Sequence, residues 1–135
     1  MKTGFVGYIL ILGITGLLDG LWLTFMTPRF YRPVMSHLLS DTLNFKAAVF
    51  FYLLYGFGIL ALVVLPALQN ATRLPQLALF AAIFGLVAYG TYDLTNHATL
   101  KNWPWTVTLV DMAWGTFLTC VAATLAVILL RYLAR

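Results

Sequence analysis

The sequence predicts an all-α integral membrane protein, a four-helix bundle filling the whole chain of 135 residues as one domain. Three observations carry that prediction. Apolar residues make up 62% of the chain and charged residues only 9%, with a mean hydropathy of +0.93. A soluble domain carries roughly 25% charged residues to solvate its surface. The charges present are also spaced so that Thr3–Leu18, Ala47–Thr72, Leu74–Tyr92 and Met112–Leu130 hold none. Runs of about 20 apolar residues are what a spanning helix needs, whereas transmembrane strands alternate over about ten. Disorder, collagen, coiled coil and a disulfide scaffold are excluded by ten Gly, five Pro and one Cys.

The first helix is expected over about Phe5–Met26. Lys2 precedes it as in a signal peptide, but no small-residue cleavage site follows, so the helix is assigned to the mature protein. Gly16-x-x-x-Gly20 on it permits close helix approach, within the chain or in a homodimer. The connection Thr27–Asn44 is expected to be broken by Pro28 and Pro33, with a short interfacial helix over Val34–Leu43. The second helix is expected over Phe45–Leu65, ended by Pro66. The third runs over Gln76–Leu100 after Pro75, and the fourth over Trp105–Leu130 after the tight link Lys101–Pro104. Phe30, Tyr31, Trp103 and Trp105, set beside Arg29, Arg32 and Lys101, have the composition of interfacial aromatic belts.

Four spans put both termini on one side. Lys2, Arg73, Arg131 and Arg135 fall on that side, and Arg29, Arg32, Lys46 and Lys101 on the other. The lysine and arginine bias is therefore a tie that also allows dual topology. The first helix and the C-terminal arginines tip it towards cytoplasmic termini.

Chemistry concentrates in the acids. Asp19, Asp93 and Asp111 lie inside apolar spans. An intramembrane carboxylate costs roughly 2.5–3.5 kcal/mol on insertion scales and usually faces the bundle interior. At 1.5 Å per residue all three fall about 10 Å below the membrane face opposite the termini. Asp19-Gly-Leu-Trp22-Leu-Thr24-Phe25 and Asp111-Met-Ala-Trp114-Gly-Thr116-Phe117 both read D-x-x-W-x-T-F, a spacing that puts Asp and Trp on one helical face. The third helix offers Tyr89, Asp93, Asn96 and His97 on one stripe, and the second Asn44, Ala48, Tyr52 and Tyr55. The expected pocket comprises Asp19, Trp22, Asn44, Tyr55, Tyr89, Asp93, Asn96, His97, Asp111 and Trp114.

The string Tyr89-Gly-Thr-Tyr-Asp93-Leu-Thr-Asn96, then Trp103-Pro and Thr108-Leu-Val-Asp111-Met-Ala-Trp114-Gly-Thr116, resembles a family of small bacterial four-span membrane proteins of unknown function. Phe51-Tyr52-Leu-Leu-Tyr55 and Leu18-Asp19-Gly-Leu-Trp22 fit the same pattern, so the resemblance covers nearly the whole chain. It implies a bacterial inner (plasma) membrane location and supplies no activity.

Three readings remain open. In one, the acids and aromatics bind or carry a small cation, a proton or an amphipathic molecule. Three carboxylates in one low-dielectric layer cannot all be ionised cheaply and would titrate as a unit. Trp22, Trp114 and the tyrosines would add cation–π contacts. In the second, aspartates or His97 serve as acid and base in a membrane-embedded enzyme acting on a lipid or isoprenoid. In the third, the helices are a structural subunit of a larger membrane complex. The expected partners are the lipid bilayer and a small-molecule or lipid ligand. No cofactor, metal or nucleic-acid site is expected, because no phosphate-cradling Gly loop, HExxH, Cys/His spacing or basic patch is present.

Overall fold

The computed structural model describes residues 2–134. It consists of four long apolar helices: α1 (Lys2–Met35), α2 (Phe45–Gln69), α3 (Leu74–Thr99) and α4 (Trp105–Leu133). Each is long and apolar enough to cross a membrane. No strand occurs among the described residues.

The helix starts follow local chemistry. The Asn44 side chain accepts the Ala47 N–H at 3.2 Å and caps α2. Pro75 sits in the first turn of α3, where its missing N–H has no helical partner to lose. The link between α3 and α4 turns on Asn102, at φ 60° in the left-handed region that asparagine tolerates.

Proline placement corrects the expected boundaries. α1 does not break at Pro28 or Pro33 but runs on to Met35, and residues 36–44 form turns instead of an interfacial helix. α2 likewise passes through Pro66 to Gln69. In both helices a π turn absorbs the disruption: Thr27–Tyr31 in α1 and Leu60–Val64 in α2. The Arg32 N–H reaches the Thr27 carbonyl and the Leu65 N–H the Leu60 carbonyl, five residues back. Each of these donors immediately precedes a proline. The widened turn makes room where a proline ring would crowd the carbonyl four residues earlier.

The core is concentrated towards the helix ends Lys2 and Leu133. Ile11, Ile59, Val64, Leu77, Leu118 and Val127 are fully buried there. Gly7 lets α1 approach Leu60 of α2 and Leu130 of α4. Arg131 donates to the Thr72 carbonyl at 2.6 Å, tying α4 to the α2–α3 turn. α3 and α4 meet across Gly85 and Gly115: a Cβ at Gly85 would strike the Gly115 carbonyl and Thr119, and one at Gly115 would strike the Tyr89 ring. Gly16 and Gly20 are exposed and have nothing near their Cβ positions, so neither serves close packing within the chain.

Candidate functional site

In the half of the bundle away from that core, a cavity of about 380 Å³ lies among all four helices. α1 contributes Asp19, Trp22 and Leu23; α2 contributes Phe51; α3 contributes Ala88, Tyr89 and Tyr92; α4 contributes Asp111 and Trp114. The two D-x-x-W segments supply four of these nine residues. α1 and α4 are packed together, so i to i+3 spacing on each turns both Asp–Trp pairs towards one space.

The two segments are wired across to one another. Trp114 of α4 donates its indole N–H to Asp19 of α1 at 2.8 Å. Trp22 of α1 donates to the Tyr31 hydroxyl at 3.2 Å, and Tyr31 donates to Asp111 of α4. Tyr52 of α2 donates to the other oxygen of Asp19. Asp19 thus has a donor on each oxygen. Asp111 has one on a single oxygen, and its second takes no donor among the described residues.

No lysine or arginine among the described residues lines the cavity. Arg32, Lys46 and Lys101 are exposed, and Arg29 lies over the Phe25 ring and donates to the Phe25 carbonyl. The acids are held by hydroxyls and indoles, not by basic side chains. The floor is a plug of aromatics: Tyr55, hydrogen-bonded to Thr119, packs against Phe84 and Tyr89. A second cavity of about 210 Å³, lined partly by Thr27, Tyr31, Met35 and Leu39, shares Leu23, Tyr92 and Asp111 with the first. Asp111 therefore stands where the two spaces adjoin, with Tyr31 donating to it from the second.

Of the ten residues singled out in the sequence, Asp19, Trp22, Tyr89, Asp111 and Trp114 line the main cavity. Tyr55 lies in its floor. The others stand elsewhere. Asn44 is exposed and spent as the α2 cap. His97 lies tilted against Trp105 with ring centroids 3.8 Å apart and planes at 43°, and reaches Thr108 at 3.3 Å, beside Asn96 and outside the lining. Asp93 is turned inward and fully buried, but neither of its oxygens has a partner among the described residues and it does not line the cavity.

Two belt assignments also change. Tyr31 is buried against Asp111, and Trp103 is buried and donates to Thr108 at 3.0 Å. Trp105 alone of the two tryptophans is exposed. Tyr31, Leu23, Phe51, Ala88 and Tyr92 carried no acidic or repeated signal. A helix continued through Pro28 would have been needed to bring Tyr31 inward.

Four spanning-length helices around an acidic, aromatic-walled cavity define an integral membrane protein of the small four-span class. The chain belongs to the family described as a predicted membrane protein (DUF2177), which it matches over residues 4–128. No curated protein and no solved structure matches the chain.

Proposed function

We propose that the cavity binds an organic cation, and that the protein carries or senses such a cation in the membrane. One observation bears the reading: Asp19 and Asp111 face a cavity walled by Trp22, Trp114, Tyr89 and Tyr92 with no basic residue in the lining. In a low-dielectric space an unpaired carboxylate is costly, and a ligand ammonium offsets that cost. The ring faces favour the same charge, through cation–π attraction of about 0.5–2 kcal/mol per well-placed contact. An anionic or purely apolar ligand would gain neither interaction. Asp111 is the stronger candidate contact, since one of its oxygens is free of protein donors.

The aromatic floor and the apolar core beneath it support a one-sided binding site over an open channel. In the bacterial inner membrane, with the cytoplasmic termini favoured by the first helix and the C-terminal arginines, the cavity lies in the outer leaflet.

The test is a titration of the protein in neutral detergent with butylamine at neutral pH, read by tryptophan fluorescence, since Trp22 and Trp114 line the site. Saturable binding is expected. Removing one partner of a desolvated charge pair weakens binding by about tenfold or more. Asp111→Asn should therefore reach that loss, and Asp19→Asn should fall short of it. An absence of saturable binding, or equal affinity in both variants and the parent, would sink the proposal.

A further inference from the structure

We infer that the natural occupant is a membrane-borne single-chain amphiphile, its cationic head against Asp111 and Asp19 and its alkyl chain leaving the bundle between α2 and α3. This deepens the cation-binding reading and rests on it. The argument starts from where α2 ceases to pack. From Leu60 to Val64 it touches α1, α3 and α4. From Phe45 to Leu54 it meets α1 through the Tyr52 hydroxyl and the Leu53 carbonyl, which accepts from Tyr8, and only Ala48 and Tyr52 are even partly buried. Tyr55 is wedged against Phe84 and Tyr89 of α3. Beyond Tyr55, towards Phe45, the seam between α2 and α3 opens, and the cavity lies in that opening.

The residues at the rim show which medium it opens to. Phe51 of α2, Leu23 of α1 and Tyr92 of α3 all line the cavity, yet they are 45%, 42% and 54% exposed. They sit within spanning segments, so the exposed side of each meets lipid. Polarity is divided by helix. α1 and α4 supply the acids and indoles, whereas α2 and α3 supply no charged group, with Phe51 on one side of the seam and Ala88, Tyr89 and Tyr92 on the other. A short hydrophilic cation would leave these apolar lips uncovered, and a neutral lipid would strand the carboxylates. A protonated long-chain amine satisfies both.

The experiment uses the full chain in phosphatidylcholine vesicles and a dodecylamine carrying a photoreactive diazirine in mid-chain. Crosslinks are expected at the lips, on Phe51, Ala88 or Tyr92. Burial of extra methylenes strengthens binding by about 0.8 kcal/mol each, so unlabelled dodecylamine should compete at least about tenfold better than butylamine. Dodecanol, which has the chain without the charge, should compete as poorly as butylamine. Ala88→Phe, which fills the seam, should abolish labelling; if that variant does not fold, Leu23→Trp narrows the same opening from α1. Butylamine matching dodecylamine would overturn the amphiphile inference and leave the cation site standing. Dodecanol matching dodecylamine, with labelling unchanged in Asp111→Asn, would overturn both.

Discussion

The indole rings of Trp22 and Trp114 lie face to face, with centroids 4.2 Å apart and planes 6° from parallel. They occupy the same place in the two D-x-x-W-x-T-F segments, and each reaches towards the aspartate of the other segment, Trp114 directly and Trp22 through Tyr31. A two-fold sequence repeat is thus converted into a crossed pair of hydrogen-bond chains around one cavity.

The stack should be measurable as coupling. Aromatic pairs contribute about 0.5–1.5 kcal/mol beyond their buried area. A double-mutant cycle of Trp22→Leu and Trp114→Leu, followed by reversible unfolding in detergent, should return a coupling energy of that size. Additive effects would mean that the rings are neighbours without interacting. Trp114→Phe should cost more than Trp22→Phe, because only Trp114 donates directly to a carboxylate.

Tyr31→Phe and Tyr52→Phe keep their rings but remove the donors to Asp111 and Asp19. Hydrogen bonds between membrane helices are worth roughly 0.6–1.7 kcal/mol. Each variant should lose stability on that scale. Tyr132→Phe, at an exposed position, serves as the control and should change nothing.

Asp93 and Asp19 should respond oppositely to the same substitution. Asp19→Asn places an amide N–H₂ against one of the two donors that now point at separate carboxylate oxygens, so the thermal midpoint should fall. Both Asp93 oxygens are buried without a partner, and replacing such a group removes a penalty instead of a bond. Asp93→Asn should leave the midpoint unchanged or raise it. A fall as large as that of Asp19→Asn would contradict the buried, unpartnered placement.

The glycines divide in the same manner. Overpacking a tight interface costs about 1–3 kcal/mol, and Gly115→Ala or Gly85→Ala should reach or exceed that because backbone and ring atoms block the new methyl. Gly16→Ala and Gly20→Ala meet open space on an exposed face and should be neutral or stabilising in monomeric protein, since alanine is the better helix former. Thermal unfolding of the four variants in one detergent distinguishes the two groups.

Membrane architecture was legible because it depends on summed composition. Four uncharged runs admit few other solutions, and the family match over residues 4–128 agrees with that reading. The inward turn of Asp19, Asp93 and Asp111 was legible as well, because carboxylates facing lipid are too costly. What the sequence concealed is how the polar groups are shared out. Asn44 and His97 have the chemistry of a site but are occupied by a helix cap and by Trp105 and Thr108. Tyr31 was hidden for a different reason. Two prolines nearby read as a break, and only the three-dimensional path of α1 reveals a helix that carries on past them.

That path has a consequence for how the chain can change. A π turn holds one more residue than the α turn it replaces, and one residue corresponds to about 100° of rotation about the helix axis. Everything beyond Thr27–Tyr31 in α1, and beyond Leu60–Val64 in α2, is therefore phased differently from what the preceding turns would dictate. Losing a single residue from the first of these turns would restore a plain α turn and leave Arg32–Met35 facing as they do, with Met35 still on the second cavity, whereas the same loss from a regular turn of α1 would swing them by about 100°. These two turns act as splices between helical registers. A one-residue loss there is absorbed as it is in the loop of residues 36–44, whereas the same loss from a regular turn of either helix would be felt as rotation.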